Sequence, residues 1–250
     1  MIGPYSASQL DVQDVQGEEW ARSRGMRRLR AALQRSMLFP ALSSFCRLTV
    51  LERELLRSLT GPAIFVSNHV SALDAVVMAE ALPPRYRHRS VVVAAADSIF
   101  KRKWEARLAQ VTVDAFPIPR GGGARAHLDY LKQLLNTNWS VIIFPEGRLT
   151  ATGAIGPFRK GAAILAVDTG VPIVPPYVDG MYEVMPRFRR IPRPGRVTVT
   201  FGEPVAPETG EDYDALIARV ENSVRALAGP KGLAVDPPSG SKSEGPNYWY

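Results

Sequence analysis

Seven short apolar runs punctuate the chain, at residues 47–51, 63–66, 90–95, 111–116, 140–144, 173–177 and 196–201, and each reads as a strand. Helical patterns fill many of the intervals, at 72–82, 99–109, 124–135, 161–168 and 213–227. Alternation of this kind predicts an α/β fold, a single domain whose mostly central mixed sheet is flanked by helices. With 250 residues the chain is long enough for one substantial core. The expected organisation is a mobile N-terminus at 1–21, a basic amphipathic helical segment at 22–46, a folded domain at 47–228, and a tail at 229–250 that lacks fixed structure. The tail is assigned on its glycine, proline, serine and charge content.

The net charge is +7, and its placement says more than its size. Six arginines, Arg22, Arg24, Arg27, Arg28, Arg30 and Arg35, occur with no acid between them. With Met26, Leu29, Leu33 and the run Met37-Leu38-Phe39, they describe a helix suited to an anionic membrane surface, its arginines reaching phosphate headgroups. A solvated basic face fits the same residues. A second basic run, Arg187, Arg189, Arg190, Arg193 and Arg196, lies in a proline-rich stretch able to meet the same surface. Nucleic acid is not an expected partner, because the basic runs lack aromatic interleaving and a recognisable binding motif.

No run approaches the roughly eighteen apolar residues of a membrane-spanning helix. The N-terminal acids Asp11, Asp14, Glu18 and Glu19 do not suit a secretory signal. The expected location is therefore cytoplasmic and peripheral on the inner face of the cell membrane. Cys46, the single cysteine, excludes an internal disulfide and fits a reducing compartment. His69, His88 and His127 show no zinc-ligand spacing, so neither a metal nor another cofactor is expected. A Walker loop and a G-x-S-x-G elbow are both missing, which argues against a nucleotide hydrolase and an ordinary serine esterase.

Chemistry concentrates first in Ser67-Asn68-His69-Val70-Ser71-Ala72-Leu73-Asp74. His69 falls on a loop between a strand and a helix, and Asp74 falls in the first turn of that helix, within reach of the imidazole. A carboxylate on one ring nitrogen fixes the tautomer and leaves the other nitrogen basic. Ser71 and Asp74 also fit a capping box, and the two roles are compatible.

Three more blocks follow. Phe116-Pro117-Ile118-Pro119-Arg120-Gly121-Gly122-Gly123 places a planar cation and a flexible turn before a helix, an arrangement that suits a phosphate or simply a mobile loop. Phe144-Pro145-Glu146-Gly147-Arg148 presents a carboxylate and a guanidinium where a buried strand ends, either as ligands for a glycerol phosphate or as a local ion pair. Gly170-Val171-Pro172-Ile173-Val174-Pro175 offers only apolar structure.

These four blocks, in this order, resemble those of the lysophospholipid acyltransferases, and most closely the bacterial 1-acylglycerol-3-phosphate acyltransferases. The resemblance covers about residues 47 to 207 and includes Pro157-Phe158-Arg159-Lys160-Gly161-Ala162. It implies that residues 47–228 form an acyltransferase domain. Such a domain moves a fatty acyl group from an acyl thioester donor, on coenzyme A or acyl carrier protein, to a lysophospholipid acceptor, with 1-acylglycerol 3-phosphate the first choice. His69 is then the catalytic base and Asp74 its partner, and Arg120, Glu146, Gly147 and Arg148 bind substrate. The alternatives are another acceptor such as lysophosphatidylethanolamine, or a non-catalytic lipid-binding module.

The chain departs from the family pattern at three places. Arg148 follows Gly147 directly and Leu149 stands where the usual arginine would be, as in lysophosphatidylethanolamine-type members. Ala96 and Asp97 occupy positions that often hold lysine, with Lys101 the nearest substitute. Pro119 replaces the aspartate that often precedes the second-block arginine.

Overall fold

The computed structural model describes residues 19–97, 102–119 and 124–236. Among them, five strands form a wholly parallel sheet in the order β4 (Ala115–Ile118), β3 (Ser90–Ala95), β5 (Ser140–Ile143), β2 (Ile64–Val66) and β6 (Ile173–Val174). A second sheet orders β1 (Cys46–Leu51), β8 (Gly195–Phe201) and β7 (Pro176–Asp179), with β1 parallel and β7 antiparallel to β8. The α/β expectation holds, and the mixed character resides in the smaller sheet.

The central strands read as continuous apolar runs because both faces are covered. Ile64, Val66, Val141, Ile143 and Ile173 point into one core, against α6 (Ala124–Asn136), α7 (Gly161–Thr169) and α9 (Tyr213–Leu227). Their alternates Phe65, Ile142 and Val174 point into another, against α3 (Asp74–Ala81) and the smaller sheet. Period-two alternation thus builds two cores from one set of strands.

Helix α1 (Arg24–Leu33) begins at a Ser23 cap and runs through a π-helical turn (Gln34–Leu38) into α2 (Phe39–Ser43). The expected basic helix is present, but two arginines of the segment, Arg22 before the helix and Arg30 within it, do not face outward. Arg30 is buried and pairs with Asp114 at 3.1 Å, and Arg22 is buried over the rings of Phe116 and Tyr130. Arg24, Arg28 and Arg35 remain exposed beside exposed Leu29 and Met37. Arg187 of the second basic run is likewise buried. No described helix is long and apolar enough to cross a membrane.

Three expectations need correction. The run at 111–116 is not one strand, because α5 (Lys103–Val113) extends through it to a left-handed Asp114 and β4 starts at Ala115. The run at 173–177 divides at Pro175 into β6 and β7, which belong to different sheets. The tail does not start at 229, since Gly229–Leu233 form a 3₁₀ turn and Asp236 is buried. Residues 1–18 and 237–250 lie outside the described residues.

Candidate active site

In a parallel sheet with both faces covered, ligands gather at the carboxyl ends of the strands. β2 and β5 are neighbours with Val66 opposite Ile143, so the segments that follow them, carrying His69 and Glu146, emerge side by side.

His69 Nδ1 lies 2.9 Å from Asp74 Oδ2. Asp74 is the first residue of α3 and wholly buried, while the His69 side chain stays 21% exposed at the rim. The same Asp74 oxygen accepts the Val70 N–H at 2.7 Å and the Ser71 N–H at 2.8 Å. One oxygen of Asp74 thus holds both the imidazole and the main chain of the loop. The capping-box reading does not hold, because α3 starts at Asp74 itself after a Leu73 N-cap that makes no side-chain bond; the Val70 and Ser71 N–H bonds instead brace the turn that enters the helix. Ser71 Oγ accepts from Leu73 N–H instead of completing the box at Asp74. Because Asp74 only accepts, Nδ1 carries the ring proton and Nε2 keeps its lone pair. The imidazole also stacks on the Phe144 ring with centroids 4.3 Å apart, which fixes its plane.

Glu146 grips the same loop from β5. Its Oε1 accepts the His69 N–H and its Oε2 accepts the Gly156 N–H, both at 2.9 Å. A Cβ at Gly156 would sit 2.9 Å from Oε2, so a side chain there would push the carboxylate from this seat. Gly147 has φ +70, and a Cβ there would lie 3.1 Å from Arg159 Nε. Arg148 Nη2 lies 2.7 Å from Oδ2 of the buried Asp236. The structure thus brings His69, Asp74, Glu146, Gly147 and Arg148 together, whereas Arg120 and Lys101 lie outside the described residues.

Burial pushes the Glu146 carboxyl up to about 8, with the Gly156 and His69 N–H groups opposing and the Asp236 and Asp74 carboxylates reinforcing. A folded-state pKa above the unfolded value stabilises the fold at low pH and loses that contribution as pH rises through about 8. The wild-type thermal midpoint is therefore expected to fall between about pH 6 and about pH 9, and Glu146→Gln to fall less over the same interval. Parallel midpoints for the two proteins would place the titrating group elsewhere.

Three contributors escaped the sequence reading. Asn68 exchanges two hydrogen bonds with the Val178 main chain, at 2.9 and 2.8 Å, and so ties the first block to the smaller sheet. The Thr150 N–H donates to the His69 carbonyl at 2.9 Å. Asp236 closes the third-block loop. An asparagine that follows a strand signals a main-chain anchor, but the other two contacts leave no local signal. Beside Val70, a cavity of about 420 Å³ opens between Thr152, Tyr177, Tyr182, Lys231 and Val235.

A family model described as Acyltransferase matches residues 26–179. 1-acyl-sn-glycerol-3-phosphate acyltransferase alpha of Mus musculus is 32% identical over 177 residues, which are 67% of this chain and 59% of that protein. The chloroplastic enzyme BAT2 of Brassica napus, with the same activity in its name, is 31% identical over 65% of this chain and 45% of its own length. The chain thus spans less than two thirds of either relative. The crystal structure of the 1-acyl-sn-glycerophosphate acyltransferase PlsC from Thermotoga maritima superposes with a TM-score of 0.60 at 21% identity, covering 88% of this chain and 84% of that one. That likeness bears on the fold.

Proposed function

We propose that this chain, which belongs to the acyltransferase family, moves a fatty acyl group from a coenzyme A or acyl carrier protein thioester to the free hydroxyl of 1-acylglycerol 3-phosphate, giving phosphatidate. The observation that carries this reading is the 2.9 Å contact between His69 Nδ1 and the buried Asp74, which leaves Nε2 basic at a partly exposed rim. The names of the mouse and Brassica relatives support the choice of acceptor.

In this mechanism His69 Nε2 takes the acceptor hydroxyl proton while that oxygen attacks the thioester carbonyl carbon. The C–S bond breaks and the thiolate leaves, regaining a proton from the imidazolium that Asp74 stabilises. No acyl-enzyme forms, so the chemistry depends on holding two substrates in register. The third-block loop with Glu146, Gly147 and Arg148 flanks the acceptor, and Arg120 supplies a phosphate contact. Exposed Arg24, Arg28 and Arg35, on the same helical segment as exposed Leu29 and Met37, support docking on an anionic membrane from the cytoplasmic side.

The test is thiol release from palmitoyl-CoA with lysophosphatidate, lysophosphatidylethanolamine or glycerol 3-phosphate as acceptor. Release that requires lysophosphatidate is the expected result. Release of free fatty acid without any acceptor would instead make the protein a hydrolase, and silence with every acceptor would leave a lipid-binding module.

A further inference from the structure

His69 is held by its main chain as well as by its ring. Both main-chain holds come from the segment after β5, through Glu146 Oε1 on its N–H and the Thr150 N–H on its carbonyl. Residues 144–154 contain neither helix nor strand, so regular structure does not fix their height above the sheet. Their anchor comes from far along the chain. Asp236 is wholly buried, and its Oδ1 accepts the Ala151 N–H at 2.9 Å, the Thr152 N–H at 3.0 Å and the Thr152 hydroxyl at 2.8 Å. Its Oδ2 faces the Arg148 guanidinium at 2.7 Å.

The strap that carries Asp236 is itself locked. Arg225 on α9 donates to the Gly232 carbonyl at 3.0 Å and to the Ile155 carbonyl at 3.1 Å, bridging strap and loop. Ile155 and Val235 pair as a parallel bridge. A methyl group at Gly232 would overlap the Arg225 carbonyl, so the strap lies flush on α9 only with glycine there. This strap falls beyond residue 179, where the family match ends.

We propose that Asp236 is a positioning residue for acyl transfer, setting the placement of His69 through Arg148 and the 151–152 main chain. The proposal rests on the reading of His69 as general base. It also assigns the Arg148 guanidinium to Asp236 instead of to the acceptor phosphate. A buried carboxylate that gathers three hydrogen-bond donors and an ion pair holds a loop far more tightly than a surface ion pair would. Misplacement of a reacting group by about 1 Å costs on the order of 10²-fold in rate, so loss of the anchor should appear in kcat.

The experiment measures kcat and KM for lysophosphatidate with palmitoyl-CoA in wild type, Asp236→Asn, Arg148→Gln, the double variant and Gly232→Ala. Rates are expressed per folded molecule, from circular dichroism well below each thermal midpoint. Asp236→Asn is expected to lose about 10- to 100-fold in kcat with KM changed less than about threefold. Arg148→Gln should do the same, and the double variant should be little worse than the poorer single one, because the two act as one unit. Gly232→Ala alters no polar side chain, and a kcat-selective loss in it identifies the strap even if Asp236→Asn fails to fold.

Wild-type kcat in folded Asp236→Asn or in Gly232→Ala would overturn the proposal, as would losses that vanish once corrected for folded fraction. A raised KM in Arg148→Gln with normal kcat in Asp236→Asn would return Arg148 to the acceptor phosphate. Wild type without acceptor-dependent release would sink the acyl-transfer reading itself, before any variant is compared.

Discussion

His69→Ala is expected to cut acceptor-dependent thiol release by about 10²–10⁴-fold, the usual contribution of a positioned general base, while circular dichroism and the thermal midpoint stay close to wild type. The ring sits at the rim, with one face on Phe144 at the edge of a core and one nitrogen on Asp74, and His69 itself belongs to neither core. Its removal still leaves Asp74 Oδ2 two main-chain donors, from Val70 and Ser71. Asp74→Asn then separates the two duties of that carboxylate. The amide oxygen can replace Oδ2, and the amide nitrogen would stand where Oδ1 finds no hydrogen-bond partner among the described residues. The start of α3 should survive, but the charge that steadies an imidazolium is gone. Turnover in Asp74→Asn should therefore fall at least about tenfold at near-normal stability, while Asp74→Ala loses both. Wild-type turnover in Asp74→Asn would reduce Asp74 to a helix-start residue, and wild-type turnover in His69→Ala would remove the base from the mechanism.

The parts of the site that were legible in the sequence are those in which the contacts are short in chain terms. His69 and Asp74 are five residues apart, and a strand-to-helix junction leaves few arrangements for such a pair. The helix at 213–227 was equally legible, because Asp212 caps it with a 2.7 Å bond to the Ala215 N–H and its buried residues Leu216, Ile217, Val220 and Val224 keep helical spacing. Glu146 pointed to the site by its place at a strand exit. Its grip on the His69 N–H could not be read, since the two residues are 77 positions apart. Asp236 stands 85 positions from Ala151 and was hidden in a segment whose composition suggested disorder.

The misread run at 111–116 has the same origin. Val111, Thr112 and Val113 favour a strand by their branched side chains. They instead close α5, whose last carbonyls would lack partners at a helix end. Arg30 and Gln34 of the N-terminal helical segment take them, with Gln110 O at 2.7 Å, Val111 O at 3.1 Å and Thr112 O at 2.8 Å. A donor 78 or more residues away settles a choice that local propensity would have made the other way.

That junction sets the largest stability effect expected in the molecule. Arg30→Ala removes its hydrogen bonds to Gln110 O, Val111 O and Ala21 O together with the 3.1 Å ion pair to Asp114, and leaves a fully buried carboxylate beside Arg22, 3.8 Å away. Breaking a buried pair from one side typically costs about 3–5 kcal/mol, against roughly 0.5 kcal/mol for an exposed residue such as Arg24. Urea unfolding of Arg30→Ala and Arg24→Ala should show that contrast, and a deficit below about 1 kcal/mol for Arg30→Ala would mean the pair is idle. Arg30→Met with Asp114→Asn should recover part of the loss, because asparagine accepts the left-handed φ of 54 at Asp114 and no buried carboxylate remains. The pH dependence gives an independent check. Burial pushes the Asp114 carboxyl up to about 6, with Arg30 and Arg22 opposing. Without Arg30 the folded-state pKa climbs further, the proton is retained to higher pH in the folded chain, and the Asp114 contribution continues to fall above about pH 6, where in wild type that contribution has levelled off. The deficit of Arg30→Ala should therefore widen from about pH 6 toward about pH 8, and a deficit independent of pH would place the loss in the carbonyl contacts and not in the charge.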